Sequence, residues 1–146
     1  MKNCIFCKIV KHEVDSHIIY EDSSVIAVLD IDPITDGHTL VIPKKDIRNI
    51  SGLDAKTGSC LMNIAKNLAS IIERTFEFDG IEIRAVSGYF QDIPHFHLHV
   101  FGRNKTNDIK IIYPEGIDNS DKHLAQIAKK INRLVEVKFI GLDEID

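Results

Sequence analysis

The 146-residue sequence lacks the features of membrane-spanning and secreted proteins. Its longest uninterrupted apolar run covers residues 25–29, whereas a membrane-spanning helix needs about 20 apolar residues. No apolar segment of a signal peptide follows the N-terminal methionine. The three cysteines, an odd number, argue against a framework of disulfide bonds. We therefore expect a soluble cytoplasmic domain.

An excess of positive charge is missing as well. The sequence has 18 Lys and Arg residues against 22 Asp and Glu residues, which gives a formal net charge of −4 at pH 7. Such a chain has no general basic field for duplex nucleic acid, although local donors at a site can still bind a small anion. We expect neither nucleic acid nor a membrane as a partner.

What the sequence does have is the composition of a globular protein, with 44% hydrophobic and 27% charged residues. This composition excludes a disordered or fibrous chain. The length is typical of one compact domain. We place that single domain at residues 1–140 and expect a short C-terminal tail at residues 141–146.

Hydrophobic spacing predicts an α+β domain. Apolar and β-branched runs between short polar turns predict strands at residues 18–21, 25–29, 38–42, 81–86 and 95–101. Apolar residues at helical spacing predict a long helix from about residue 51 to residue 74 and a second helix that begins at Ser120 and Asp121. The order of these elements indicates a five-stranded antiparallel sheet with a long central helix and a C-terminal helix, both on one face.

Histidines recur at every second position of the segment His95-Phe96-His97-Leu98-His99. Strand periodicity places the three imidazoles on one face and the apolar residues on the other. A lone histidine on a strand is usually a solvated or core residue, but three at this spacing indicate a functional site. Positions i and i+4 of a strand lie about 13 Å apart, so three such histidines cannot easily bind one zinc ion, although two can. Neutral imidazole, whose unperturbed pKa is about 6.5, is nucleophilic at pH 7. The middle member, His97, is the expected nucleophile because it has a histidine on the same face on either side.

The pattern His-apolar-His-apolar-His-apolar-apolar resembles the signature of the histidine-triad (HIT) family of nucleotide-binding proteins. The likeness extends over nearly the whole chain. Segments that resemble the bacterial Hit/Hint-like branch, in matching order, are Cys4-Ile5-Phe6-Cys7-Lys8-Ile9-Val10, Tyr20-Glu21-Asp22, Leu29-Asp30-Ile31 and Gly37-His38-Thr39-Leu40-Val41-Ile42-Pro43-Lys44. The resemblance implies the HIT-like fold.

The resemblance also implies a reaction. In this family the middle triad histidine attacks the α-phosphorus of a nucleoside phosphoramidate or a similar ester, and water then releases the nucleoside monophosphate from the histidine. By this resemblance His97 is the nucleophile, His99 binds phosphate oxygen and assists the leaving group, and His38 supports the triad from the neighbouring strand. The alternative for His38 is a histidine that caps a loop at the start of a strand.

Further positions match the substrate-binding residues of the family. Asp30 ends an apolar strand with a carboxylate, which has acceptor sites for both hydroxyls of a ribose, and the alternative is an ordinary turn aspartate. The resemblance implies that an apolar slot holds a purine base, and the matching residues are Ile5, Phe6, Ile9, Leu29 and Ile31. From the sequence, the same residues would serve equally well as core.

Cys4 and Cys7 form a Cys-x-x-Cys pair, which is half of a tetrahedral zinc site. The resemblance implies that the first triad histidine, His95, and a second histidine complete the site, but Asp46 occupies the position of the second. An aspartate oxygen is an accepted zinc ligand, so Cys4, Cys7, Asp46 and His95 are the expected set. The alternative is a reduced, metal-free pair of cysteines.

Two positions before the triad depart from the family pattern. Arg84 stands where an asparagine or glutamine is usual, and Asp92 replaces a hydroxyl residue, whereas Gln91 is retained. Arg84 still offers phosphate a donor, but Asp92 repels phosphate unless Arg84 or His99 pairs with it. We include Arg84, Gln91 and Asp92 among the expected substrate-binding residues.

These observations predict a hydrolase of nucleoside 5′-phosphoramidates or related nucleoside monophosphate esters, with structural zinc and no organic cofactor. A nucleotide-binding or sensing protein with little turnover is an alternative that Asp92 favours. A third hypothesis is a zinc-dependent hydrolase that uses two triad histidines as ligands. The resemblance also implies a homodimer that pairs through about residues 54–74 and 81–86.

Overall fold

The computed structural model describes residues 4–106 and 114–139. Its helices and strands, in chain order, are α1 (Ile5–Val10), β1 (Ile18–Glu21), β2 (Val25–Leu29), β3 (Thr39–Pro43), α2 (Ala55–Phe76), β4 (Gly80–Ala85), β5 (Leu98–Arg103) and α3 (Asp121–Phe139). The prediction of an α+β fold is confirmed. The tail predicted at residues 141–146 lies outside the described residues.

The strands form a five-stranded antiparallel sheet in the order β1-β2-β3-β5-β4. β1 and β2 form a hairpin, whose turn is held by Asp22 because its Oδ1 accepts the N–H groups of Ser24 and Val25, each at 2.7 Å. β5 lies between β3 and β4, so the strand that carries His99 has neighbours from both halves of the sequence. This insertion brings residues that are distant in sequence to the same part of the sheet.

α2 covers one face of the sheet. It begins after Asp54, whose Oδ1 accepts the N–H of Thr57 at 2.9 Å, and it ends at Glu77, which has a left-handed backbone with φ of 54°. The prediction of a long central helix is confirmed, although its first residues around Ser51 form a 3-10 turn. The apolar stripe of α2 packs with sheet residues in one core, whose most buried members are Val25, Ala27, Val41, Leu61, Ala65 and Val100.

α1, a helix that the sequence analysis does not predict, covers part of the opposite face. Phe6 and Ile9 of α1 pack against sheet residues that alternate with those beneath α2, namely Ile26, Val28, Leu40 and Ile42. Cys4 precedes the helix, and its Sγ accepts the N–H of Cys7 at 3.2 Å. A helix of six residues has fewer than two turns, which is too short for hydrophobic periodicity to predict it.

β5 begins at Leu98 rather than at His95, which corrects the predicted strand at residues 95–101. The residues before it bond to loops instead of to a neighbouring strand. His95 N–H donates to the Ile93 carbonyl at 2.7 Å, and Phe96 N–H donates to the Ile47 carbonyl at 2.6 Å. The alternation of side chains nevertheless continues through this segment, since Phe96 is buried in the α2 core and His97 is on the other side.

The chain divides into two compact units, Met1–Ile109 and Lys110–Asp146. α3 belongs to the second unit and begins where predicted, because the Oγ of Ser120 accepts the N–H of His123 at 3.3 Å. The assignment of residues 1–140 to a single domain stays a prediction. Within residues 4–106 and 114–139, no helix is long and apolar enough to cross a membrane. The cytoplasmic location stays a prediction as well.

Candidate active site

A cavity of about 610 Å³ lies on the sheet face that α1 covers. All the predicted catalytic and substrate-binding residues except Gln91 line it, namely Ile5, Phe6, Ile9, Leu29, Asp30, Ile31, His38, Arg84, Asp92, His97 and His99. Gln91 lies outside this wall, and its Nε2–H groups donate to the carbonyls of Arg48 at 3.0 Å and Ile93 at 2.7 Å. Gln91 therefore holds the loop before the triad.

The floor of the cavity includes one row of side chains that crosses four strands. Val28 lies opposite Leu40, Leu40 opposite His99, and His99 opposite Arg84. The row is apolar where α1 packs and polar at the β4 edge. Val28 and Leu40 were not among the predicted site residues, and the signal that could have found them is their alternation with the α2 core residues on β2 and β3.

His97 is held in one tautomer by its own segment. The ring is 4% exposed, and its Nδ1–H donates to the His95 carbonyl at 2.8 Å, because a carbonyl can only accept. Burial is the main cause that lowers the pKa of His97 below its usual value, so the imidazole is neutral at pH 7. Its Nε2 therefore carries a lone pair on the ring that lines the cavity.

His38 and His99 form a hydrogen-bonded pair beside His97. Ile34 N–H donates to His38 Nδ1 at 3.2 Å, so His38 Nε2–H donates to His99 Nδ1 at 3.1 Å. This order leaves the proton of neutral His99 on Nε2. Burial, followed by the neighbouring His97 and His38, lowers the pKa of His99 to about 4, and burial also lowers the pKa of His38. The pair supplies a neutral N–H donor to the cavity.

Asp30 lies directly after β2 and beside His38. Its backbone N–H donates to the His38 carbonyl at 2.9 Å, its Oδ1 accepts the N–H of Asp32 at 3.1 Å, and its Oδ2 is 3.4 Å from His38 Nδ1. The carboxylate is 16% exposed and lines the cavity. The two hydrogen bonds with backbone groups fix its position while leaving acceptor sites toward the cavity.

Arg84 pairs with Glu82 rather than with Asp92. Arg84 Nε–H and Nη2–H donate to Glu82 Oε1 at 2.9 and 2.6 Å, and the guanidinium lies 5.4 Å from the centroid of the Phe101 ring. Asp92 also lines the cavity, where its negative charge acts on His97. Of the two partners that the sequence offered for Asp92, Arg84 or His99, Arg84 is therefore engaged by Glu82.

Cys4, Cys7 and His95, the first member of the triad, form a second cluster. The Nδ1 of fully buried His95 lies 3.5 Å from Cys4 Sγ and 3.4 Å from Cys7 Sγ, while its Nε2–H donates to the Pro43 carbonyl at 2.8 Å. That carbonyl leaves the lone pair of Nδ1 directed at the two sulfurs, which is the arrangement that a zinc-binding histidine requires. The three ligand atoms lie within 4.8 Å of one another. The donor set therefore fits zinc.

Asp46 lies at the edge of this cluster, outside the three ligand atoms that lie within 4.8 Å of one another. One carboxylate oxygen is 3.9 Å from His95 Nδ1. In the described part of the chain, the other candidate metal-binding group is Asp30, His38 and His99, and neither group contains two triad histidines. The third hypothesis, a zinc hydrolase with two triad ligands, thus has no matching cluster among the described residues.

Comparisons with known proteins identify the family. Residues 11–106 match the model of the HIT domain. The chain belongs to the HIT family. An uncharacterized HIT-like protein of Borreliella burgdorferi is 38% identical over 111 residues, which cover 73% of this chain and 80% of that protein. Membership implies a nucleotide-binding hydrolase or a related activity.

Solved structures of HIT proteins share the fold. A zinc-bound histidine triad family protein from Mycobacterium smegmatis matches with a TM-score of 0.71 and 28% identity, over 91% of this chain and 98% of that chain. A histidine triad nucleotide-binding protein from Candida albicans matches with a TM-score of 0.78 and 25% identity, over 93% and 100% of the two chains. The predicted HIT-like fold is confirmed.

Proposed function

We propose that this protein hydrolyses nucleoside 5′-phosphoramidates or related nucleoside monophosphate esters through a nucleotidyl-His97 intermediate. The observation that carries the proposal is the hydrogen bond from His97 Nδ1–H to the His95 carbonyl, which leaves the Nε2 lone pair of a buried, neutral ring at the cavity. An imidazole that is oriented in this way needs no separate base to attack phosphorus.

The proposed reaction has two steps. His97 Nε2 attacks the α-phosphorus, the bond to the departing amine breaks, and the amine takes up one proton from solvent. The His99 Nε2–H donates a hydrogen bond to phosphoryl oxygen or to the departing group, and His38 holds the His99 ring in that tautomer. Water then attacks the same phosphorus, which releases the nucleoside monophosphate and returns the proton and the neutral His97.

The two ends of the substrate have different surroundings in this proposal. Asp30 accepts hydrogen bonds from the ribose hydroxyls, since its carboxylate is fixed at the cavity wall. The purine base occupies the apolar part of the wall, where the residues that match the family's base slot are Ile5, Phe6, Ile9, Leu29 and Ile31. The proposed roles of Asp30 and of the apolar residues rest on the resemblance to the HIT family and on the position of each residue at the cavity.

A direct test is the mass of the triad peptide during turnover. Trypsin should cut after Arg84 and Arg103 and release residues 85–103 with the whole triad inside. Protein quenched during turnover, under conditions that preserve phosphorus–nitrogen bonds, should carry one nucleoside monophosphate on His97. A label on His95 or on His99 instead would overturn the proposal.

A nucleotide-binding protein with little turnover is the second candidate. The carboxylate of Asp92, which lines the cavity and acts electrostatically on His97, favours it, because a negative charge there opposes an incoming phosphate. Rapid-mix kinetics separate the two candidates. A single burst of one product per site without steady turnover supports the binding protein, whereas sustained turnover supports the hydrolase.

We also propose a structural zinc ion held by Cys4, Cys7 and His95, with Asp46 as the fourth ligand. The donor set of the cluster and the zinc-bound relative from Mycobacterium smegmatis support this assignment. Protein purified without chelator should contain about one zinc per chain, the ratio that one such site requires. Asp46→His should tighten binding, since imidazole is a more usual partner of two thiolates. A metal-free native preparation would contradict the assignment.

The protein is proposed to be a homodimer that pairs through α2 and β4. Met62 and Ile71 of α2 are 51% and 59% exposed, and β4 is an edge strand of the described sheet. Exposed apolar side chains and an unpaired strand edge are features that pairing with a second copy would cover. Light scattering at micromolar concentration should give the mass of two chains, and the mass of one chain would contradict this proposal.

A further inference from the structure

Arg84 occupies a place in the cavity that the proposed reaction has not used. It lies at the β4 end of the row Val28, Leu40, His99 and Arg84, one strand beyond His99. Neighbouring strands lie about 4.8 Å apart, so the row runs about 14 Å from β2 to β4. A substrate of that length would place different chemical groups over its two ends.

The direction of the substrate along the row follows from what covers each end. Val28 and Leu40 pack with α1 in an apolar cluster, and Asp30 follows β2 at the same end. In the proposed reaction the nucleoside would therefore lie over β2 and β3, with the phosphorus near His97 and His99. The group that departs from phosphorus, opposite the nucleoside, then extends toward β4 and Arg84.

The guanidinium of Arg84 is held in place for such a contact. Its Nε–H and Nη2–H both donate to Glu82, whose other carboxylate oxygen accepts Arg103 Nη1–H at 2.9 Å. Within residues 4–106 and 114–139, Arg84 Nη1 makes no hydrogen bond, and the side chain remains 39% exposed at the cavity wall. A fixed guanidinium loses little side-chain freedom when it binds an anion.

The charges around the cavity define the anion. Arg84 is the one permanent cation in the described wall, against four carboxylates, Asp15, Asp30, Asp32 and Asp92. These four carboxylates would repel a ligand that carries several additional negative charges. The charge of a single additional carboxylate, placed beside Arg84, would be offset by the guanidinium. A carboxylate is also the group that this guanidinium already binds in Glu82.

We propose that Arg84 is a specificity-determining residue that binds a carboxylate on the leaving group, so that the protein prefers nucleoside phosphoramidates of amino acids. This inference rests on the proposed hydrolase function. It assigns Arg84 to the departing group and not to the phosphoryl oxygens. The chemical step is the one given above, in which the amino-acid amine leaves phosphorus with one proton from solvent.

A matched pair of substrates tests this assignment, namely the adenosine 5′-phosphoramidates of glycine and of glycinamide. They differ in one group, a carboxylate against a neutral amide. The native protein should hydrolyse the glycine compound with a kcat/KM about tenfold higher, as expected for a hydrogen bond between charged groups at a partly exposed site. Arg84→Gln should bring the ratio near one by slowing the glycine compound alone, and Arg84→Lys should keep part of the preference.

Arg103→Gln is the control, because Arg103 also donates to Glu82 but does not line the cavity. It should leave the preference for glycine unchanged. Equal rates for the two compounds in the native protein would overturn the inference. An equal decrease for both compounds in Arg84→Gln would overturn it too, because that result assigns Arg84 to the phosphoryl group. If Arg84→Gln does not fold, the native ratio and Arg84→Lys decide.

Failure of the proposed function has a different signature. If neither compound is hydrolysed, the hydrolase proposal fails, and calorimetry of the same two compounds tests Arg84 by itself. Tighter binding of the glycine compound by the native protein, lost in Arg84→Gln, would support a carboxylate site at Arg84. Equal dissociation constants would reject it.

Discussion

The two faces of the sheet differ in the length of the helix that covers them. α2 has 22 residues and spans about 33 Å, whereas α1 has six residues and spans about 9 Å. The long helix covers its face with aliphatic side chains, while the short one leaves a cavity of about 610 Å³ beside it. The α2 face therefore holds most of the buried aliphatic core, and the α1 face holds the candidate active site.

The triad segment takes part in both faces. Phe96, Leu98 and Val100 belong to the α2 core, and His97 and His99 line the cavity. Successive side chains of an extended segment point to opposite sides, so a substitution one residue away should change a different property. Variants on the two faces therefore test whether stability and activity are as separate as the geometry suggests.

The largest effect is expected for His97→Ala. Loss of the nucleophile should lower kcat/KM by about a thousandfold or more, equivalent to about 4 kcal/mol of transition-state stabilisation. The variant should retain the fold, which circular dichroism checks, because the α2 core is unchanged. Activity at the native level in a folded His97→Ala protein would exclude His97 as the nucleophile.

On the other face, Leu61→Ala should act on stability instead. Leu61 is 1% exposed in the α2 core, so truncation should lower the free energy of unfolding by about 3 kcal/mol. Urea unfolding measures this loss, and kcat/KM per folded molecule should stay at the native level. Lys66→Ala, at an exposed position of the same helix, is the control and should change stability little. A large loss of activity in folded Leu61→Ala protein would contradict the separation of the two faces.

Asp30→Ala sharpens the comparison within the cavity. Loss of the contact with the ribose should weaken binding by about 1–3 kcal/mol, seen as a higher KM with a smaller change in kcat. The control is a substrate without the 2′-hydroxyl, which should lose less when Asp30 is replaced. If the native protein handles ribose and 2′-deoxyribose substrates equally well, Asp30 does not bind the diol.

The smallest expected effect is a dependence of stability on pH that originates on the cavity face. Burial lowers the pKa of His99 from 6.5 to about 4, so the unfolded chain takes up a proton before the folded protein does. The free energy of unfolding should therefore be highest above pH 6.5 and should decrease as the pH falls from 6.5 toward 4. His99→Asn should flatten this decrease in urea titrations, whereas Lys66→Ala, at an exposed position of α2, should not.

Local patterns predicted much of the fold because they report on single elements. Alternation predicted that Phe96, Leu98 and Val100 are buried, and helical spacing predicted the stripe of α2. α1 could not be predicted in this way. A six-residue helix is unstable alone, so it forms because Phe6 and Ile9 pack against the sheet.

Local sequence patterns predicted four of the five strands to within one residue, the long helix and the row of three histidines, since each depends on neighbours in the chain. The resemblance to the HIT family supplied the other site residues. The distances and hydrogen bonds of each triad member come from the tertiary structure. His95 meets cysteines 88 and 91 residues away, and His99 meets His38 on one side and Arg84 on the other. Those meetings depend on the insertion of β5 between β3 and β4, which is a consequence of packing between distant segments and has no local signal.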